Sequence, residues 1–365
     1  MKYAIFAILF LWWIPGADAA YIRSIQHGTS TIAANSATST ATIRPVDTTK
    51  SFVIGNYTVD DATSGGAKAN IQLTNSSTIT LNRSDDATSS VIVQWFVPEF
   101  TNNVTVQRGS TSMTGTSTIS ISLTPVATTS SFVVMSNKSG GTAVNNDDFI
   151  EGHLFNSSTL VLSLKGNGGA PSIVEWQVVE YTDSLVESGT HVILPASTTM
   201  SLPISAATSS KSWIVFSTAT YNQANNDMGE KMINAELLDA ETISFSRRNT
   251  GVSTTISWFL VKFTDATIVQ TGEFNMGTAS TTQISTLASS SINLSRSVLA
   301  AGGETMHGSG KCSMSTNDNL GACMARMEFL DKDTIEATRA LTGGGTFTVQ
   351  WFAIEFPRRR LLIVD

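Results

Sequence analysis

The chain has 365 residues and a formal net charge of −7; 14% of it is charged and 41% hydrophobic, and Ser and Thr together supply about a quarter of all residues. The acidic balance excludes a general nucleic-acid binder, which needs a basic footprint, and the low content of charged helix formers excludes a coiled coil. Val, Ile, Phe and Trp recur along the whole length, which excludes a disordered chain, and length alone predicts two or three domains at roughly 150 residues each.

The first segment reads as an address. Lys2 precedes an apolar run from Tyr3 to Ile14, Pro15-Gly16 breaks it, and Ala17-Asp18-Ala19 places small residues where a signal peptidase reads them. Cleavage after Ala19 is expected, making 1–19 a leader. Its apolar run is short of the roughly 20 residues that span a bilayer, and no later segment predicts a membrane span. The expected location is secreted or at the cell surface, periplasmic or extracellular.

Past the leader the tryptophans reveal a repeat. Trp95, Trp176, Trp258 and Trp351 sit in Val93-Gln94-Trp95-Phe96, Val174-Glu175-Trp176-Gln177, Ile256-Ser257-Trp258-Phe259 and Val349-Gln350-Trp351-Phe352, spaced by 81, 82 and 93 residues. A marker Thr precedes each Trp by 17, 17, 16 and 17 residues: Thr78, Thr159, Thr242 and Thr334. A glycine opens each unit at Gly28, Gly109, Gly189 and Gly272, read here as a turn. Mid-unit come Ser51-Phe52-Val53-Ile54, Ser131-Phe132-Val133-Val134 and Ser212-Trp213-Ile214-Val215, with Ser291-Ile292-Asn293-Leu294 as the drifted fourth copy. The units divide as 20–101, 102–182, 183–264 and 265–357, followed by a basic tail, 358–365.

Each unit holds short β-branched and aromatic runs separated by Gly, Asn, Asp and Ser clusters, the signature of strands. The fold class predicted is all-β: four tandem antiparallel β-sandwich domains of about six strands each. In the second unit these are roughly 104–108, 117–123, 131–136, 149–154, 159–165 and 173–181. The Trp of each last strand is expected to fill its core. Each closing strand runs almost directly into the next opening strand, which predicts a stiff array with exposed strand edges at its two ends.

A central strand with an aromatic followed by Val (Phe132-Val133), a Thr-containing strand (Thr159 to Leu162) and a final strand with Val-x-Trp (Val174-Glu175-Trp176) resemble the H-type lectin domain. That resemblance implies a six-stranded antiparallel sandwich with sugar bound near subunit contacts, and it carries over no ligand residue.

Chemistry has few places to reside. Cys312 and Cys323 fall in the fourth unit, the one whose Trp spacing is lengthened, and in an exported protein they are expected to form a disulfide closing a loop. His27, His153, His191 and His307 occupy unrelated repeat positions and read as surface residues, so no triad or metal cluster is predicted. Acidic and amide clusters recur between the third and fourth strands: Asp60-Asp61, Asn146-Asp147-Asp148, Asn226-Asp227 and Asp318. Such loops suit calcium or sugar hydroxyls, and equally suit turn chemistry. With no nucleophile-and-base pair, the sequence points to a non-enzymatic protein for surface attachment or carbohydrate recognition. The alternative is a structural subunit of a filament, sheath or virion fibre. The partner is a surface glycan or further copies of the chain, with no nucleic acid, no obligatory cofactor and calcium as the one candidate ion.

Overall fold

The structure is a computed structural model that describes residues 19–358, apart from 61–67, 85–87, 116, 142–143, 145–147, 167–170, 222–226, 288–291, 304–308, 315–319 and 343–344. The described residues are all-β, in 25 strands, and no helix among them is long and apolar enough to cross a membrane.

The first repeat contains β1 (Ile22–Ile32), β2 (Thr38–Thr42), β3 (Ile54–Val59), β4 (Ala69–Asn75), β5 (Thr78–Arg83) and β6 (Val91–Phe100). The second follows as β7 (Val104–Met113), β8 (Ser117–Ser122), β9 (Ser131–Lys138), β10 (Ile150–Asn156), β11 (Thr159–Leu164) and β12 (Ser172–Tyr181). The third has β13 (Ser184–Ile193), β14 (Thr199–Pro203), β15 (Ser212–Thr220), β16 (Asn234–Asp239), β17 (Thr242–Ser246) and β18 (Thr254–Phe263). The fourth has β19 (Ile268–Met276), β20 (Thr282–Thr286), β21 (Ser297–Ala301), β22 (Lys311–Cys312), β23 (Arg326–Phe329), β24 (Thr334–Thr338) and β25 (Phe347–Glu355).

Every repeat is a sandwich of two antiparallel sheets. The sixth strand lies between the first and third, as in β1-β6-β3, and the fifth lies between the second and fourth, as in β2-β5-β4. The third-repeat pair Phe216 and Phe245, one on each sheet, meets edge-on at 5.4 Å, and Phe216 lies directly across from Trp258. The Trp row therefore faces the interior of its own sandwich.

The recurring glycine has a different reason from the one its sequence suggests. Gly28, Gly109, Gly189 and Gly272 lie within the first strands, each directly opposite its Trp. A β-carbon at Gly109 would stand 2.4 Å from Trp176 Cζ2, and one at Gly28 2.7 Å from Trp95 Cζ2. The indole lies over bare backbone, so the first strand continues through the glycine instead of turning there. Beyond it a hydroxyl often receives the indole N–H: Trp95 Nε1 donates to Ser30 Oγ at 2.9 Å and Trp176 Nε1 to Thr111 Oγ1 at 3.1 Å.

The fourth repeat corrects a second expectation. Its third strand starts at Ser297, which pairs with Glu355 as Ser212 pairs with Lys262 and Ser131 with Glu180. The counterpart of Ser131-Phe132-Val133-Val134 is thus Ser297-Val298-Leu299-Ala300, and not the segment beginning at residue 291. After Ala301 the chain leaves the sheet and returns as β22, which resumes pairing further along β25. Seven of the extra residues lie inside this interrupted third strand, where Ala301 pairs with Trp351 but Lys311 with Thr348, and three more precede Ser297; the Cys312–Cys323 disulfide joins β22 to the segment leading into β23.

The array has no ends. The face of each sixth strand that points away from its own sandwich packs on the fourth strand of the preceding repeat, and the first repeat packs on the fourth. The same backbone hydrogen bond marks all four junctions. Ile71 N–H donates to Ser136 Oγ (3.0 Å), Gly152 N–H to Ser217 Oγ (2.9 Å), Ala235 N–H to the Gly302 carbonyl (2.9 Å) and Met327 N–H to Asn56 Oδ1 (2.5 Å). Each donor stands seven residues before its marker Thr. Where the sixth strands end, Phe100, Tyr181, Phe263 and Phe356 form a closed edge-to-face ring, with successive centroids 5.5, 5.3, 6.1 and 5.0 Å apart.

Within repeats one, three and four a buried arginine fixes the opposite end. Arg83 donates to the carbonyls of Ala33, Ser36 and Ser89; Arg247 donates to those of Leu194, Ser197, Glu230 and Val252; and Arg339 does the same for Gly277, Ser280 and Ala322. In the second repeat Leu164 takes this place in the fifth strand.

Because the repeats share one core, unfolding is expected as a single cooperative transition. Trp176→Ala should cost about 3–5 kcal/mol and Gly109→Ala about 1–3 kcal/mol through overpacking. The double variant should cost less than the sum, since the added methyl then has room. Calorimetry that resolves separate transitions, or a strictly additive pair, would contradict this.

Candidate functional site

The described residues that flank the third-to-fourth-strand connections lie at the end of the ring remote from the aromatic cluster and touch across junctions. Lys68, buried and 4.4 Å from the Phe149 ring centroid, donates through Nζ to the Asp148 carbonyl of the next repeat. Gly229 N–H donates to the Met314 carbonyl at 2.7 Å, joining the third and fourth repeats. At the same end, Ala340 N–H in the connection between β24 and β25 donates to Thr58 Oγ1 of β3 at 2.8 Å, joining the fourth repeat and the first.

Of the acidic and amide residues expected to bind a ligand, Asp60, Asp148 and Asp227 are described, whereas Asp61, Asn146, Asp147, Asn226 and Asp318 lie outside the described residues. Asp60 is exposed, with its N–H donating to the Ser90 carbonyl at 3.0 Å. The Asp148 carboxylate is buried and accepts from Gly140 N–H and Ser172 Oγ. Asp227 accepts from Asn249 Nδ2 through both oxygens, at 2.9 and 3.0 Å. Asp148 and Asp227 thus hold their own loops. Among the described residues no group of three or more His, Cys, Asp and Glu is placed to hold a metal ion.

Other recurrent carboxylates are also committed to backbone. Four residues after Trp95, Trp176 and Trp351 stand Glu99, Glu180 and Glu355, which accept from Asp47, Ala127 and Asn293 N–H at 2.9, 2.9 and 3.0 Å. Each fixes the segment that leads from second to third strand. In the third repeat Lys262 occupies this position and donates to Ser205 and to Glu187, which is 3.1 Å away. Glu187 in turn stands where Gln26 and Gln107 grip backbone through both amide atoms. Burial raises the Glu187 pKa, but the Ser205 hydrogen bonds and Lys262 outweigh it and hold the carboxyl below its ordinary value.

The junction between second and third repeats holds an arrangement that sequence reasoning missed. Glu151 is buried and accepts from Ser257 Oγ across the junction and from His153 Nδ1 at 3.1 Å. His153 is therefore not a plain surface residue. Burial raises the Glu151 pKa, yet the hydrogen bonds from His153 and Ser257 win and lower it overall. The available signal was periodicity: Asn70, Glu151 and Asn234 each stand eight residues before their marker Thr, and each reaches into the neighbouring repeat. His27 lies 5.9 Å from the Phe96 ring, His191 accepts from Trp258 Nε1 at 3.1 Å, and His307 lies outside the described residues.

What stays open to solvent recurs too. The residue four before each marker Thr, at the tip of the fourth-to-fifth-strand hairpin, is Thr74, Phe155, Leu238 or Leu330, and the last three are 71%, 60% and 48% exposed. A shallow groove beside Leu238 runs along Ala206, Ala207 and Ala240 toward Leu185 and Lys262. The molecule thus carries a loop-bearing end and an opposite end with apolar tips, each in repeated copies. No protein-family model matches the chain, and none of the curated proteins matches its sequence.

Two buried glutamates at the junctions give opposite pH signatures. Burial raises the Glu175 pKa more than its Ser110 hydrogen bond and the Lys138 charge lower it. Its folded pKa exceeds the unfolded value of about 4.3, so its stabilising contribution exists below that value and is lost as pH rises through the folded pKa. Glu175→Gln, which copies Gln94 and Gln350, should raise Tm at pH 7 and have little effect at pH 4. Glu151 has the reverse sign: its contribution is present above the unfolded value and lost as pH falls through the folded one. Glu151→Gln should lower Tm at pH 7 and lose its effect in acid; thermal melts across pH 3–8 check both.

Proposed function

We propose that the protein is an exported, non-enzymatic attachment module that presents one contact surface several times to a carbohydrate-bearing surface. The observation that carries this reading is the closure of four like repeats, which sets corresponding strands and hairpin tips at repeated positions on one closed body. A weak site repeated on a rigid frame gains avidity without any new contact, because each engaged copy raises the effective concentration of the next. The hydroxyl-rich second strands, such as Thr38–Thr42 and Ser117–Ser122, with alternating exposed residues, offer donors and acceptors suited to sugar hydroxyls. Exposed Phe155 offers an apolar face of the kind that packs on a sugar ring.

Export is supported by the sequence of 1–19 and by the Cys312–Cys323 disulfide, since such bonds persist in oxidising compartments. The second reading, a structural subunit of a filament or sheath, draws on those same second strands, which pair on one side only and leave edges on which another chain can add. A glycan array probed with the protein, together with electron microscopy of the same preparation, separates the two. Discrete rings that bind glycans are expected. Polymers without glycan binding would overturn the attachment reading in favour of the structural one.

A further inference from the structure

Beneath the aromatic ring, the segments entering the repeats converge in a polar cluster. Ala20 belongs to the first repeat, Asn103 to the second, Asp183 to the third and Asp265 to the fourth. Asp183 Oδ2 accepts from Ala20 N–H at 2.5 Å and from Asn103 Nδ2 at 3.1 Å, and the Asp183 carbonyl accepts from Thr264 N–H at 2.8 Å. Asp265 Oδ2 accepts from the Tyr181 hydroxyl at 2.7 Å. The Tyr181 phenol is pushed well above its ordinary pKa by burial first, and then by the nearby Asp265 and Asp183 charges. Two carboxylates thus share this cluster, while the adjacent Lys211 spends its ammonium on the Asp265 and Thr267 carbonyls. Ala20 itself is fully buried.

The donor facing Asp183 is the amide that peptidase cleavage after Ala19 would convert into a chain terminus. We infer that leader removal is a maturation step that installs the α-ammonium of Ala20 as the partner of Asp183, locking the first repeat onto the third across the ring. Water hydrolyses the Ala19–Ala20 peptide bond, Ala19 leaves as a carboxylate, and Ala20 gains a protonated amine. A neutral amide donor becomes a charged one in the same place, and a charge-assisted hydrogen bond in a partly buried setting is roughly twice as strong as a neutral one. Cleavage one residue earlier would leave Asp183 an uncharged amide donor, and cleavage one residue later would remove the Ala20 donor altogether. The inference rests on the export reading above.

The test has two parts, so that failure of each reading is distinguishable. Intact mass of the exported protein reports its N-terminus, and Ala20 is expected. Four forms are then melted: free or α-acetylated Ala20, each with Asp183 or with Asp183→Asn. Acetylation should lower Tm by about 1–2 °C in the wild-type background, the scale for a cooperative unit larger than 250 residues, and should not lower it in Asp183→Asn, because without the carboxylate the ammonium has no ion pair to lose. Recovery of the protein only inside the cell with its leader retained would overturn both the export reading and the inference, and an exported form that starts at any residue other than Ala20 would overturn the inference alone. A start at Ala20 with equal acetylation effects in both backgrounds would overturn the ion pair and leave export standing.

Discussion

The edge-to-face contact of Phe100, Tyr181, Phe263 and Phe356 exists only because the four repeats close on one another. The closure follows from the connections. Each sixth strand is separated from the next first strand by only two to four residues, too few for a free linker, so each repeat is set by the one before it. The sixth strands themselves require burial on both faces: one carries the Trp row into its own sandwich, and the other carries residues such as Phe96, which meets Phe329 of the neighbouring repeat at 6.0 Å. A straight array would leave one such face in water. Closing the ring buries all of them.

Within that frame most of the titratable groups that might suggest chemistry hold backbone. Glu99, Glu180 and Glu355 secure the chain before each third strand, and the buried arginines satisfy carbonyls at turns that have no ladder partner. The work can pass between residue types, as when Lys262 with Glu187 replaces the Glu and Gln of other repeats, provided that hydrogen bonds and charge stay balanced. This leaves the exposed hairpin tips and second strands as the surface least occupied in holding the frame. Function is most readily varied there, on segments positioned by a rigid scaffold.

Much of the fold was legible in the sequence because it depends on local pattern. Alternation in Thr118 to Leu123 and the constant distance from marker Thr to Trp predict strands of the second repeat that lie within a few residues of those observed. The glycine was misread because two facts are needed to explain it: its strand, and the indole lying over it from another strand. The fourth-copy marker was misplaced because its third strand starts 39 residues after Trp258, whereas Ser131 and Ser212 each stand 36 after the preceding Trp, and Ser291-Ile292-Asn293-Leu294 offered a similar run before the true start. Ring closure had a signal that went unused. The runs around Trp95 and Trp258 are apolar at successive positions, as in a strand buried on both sides, and a lone sandwich needs only one buried side.

By itself the sequence determined the strand class, the fourfold repetition, the approximate strand segments along the chain and the pairing of the only two cysteines, since each is set by residues close together or by simple scarcity. The tertiary structure decided what faces what. It set Gly109 beneath Trp176, Asn56 against Met327, Glu151 beside Ser257, and Ala20 against Asp183, partners separated by as many as 271 residues. Periodicity says on which side of a strand a residue lies. Only the packed ring says which neighbour waits on that side, and so whether a carboxylate is a ligand, a clamp or one half of an ion pair.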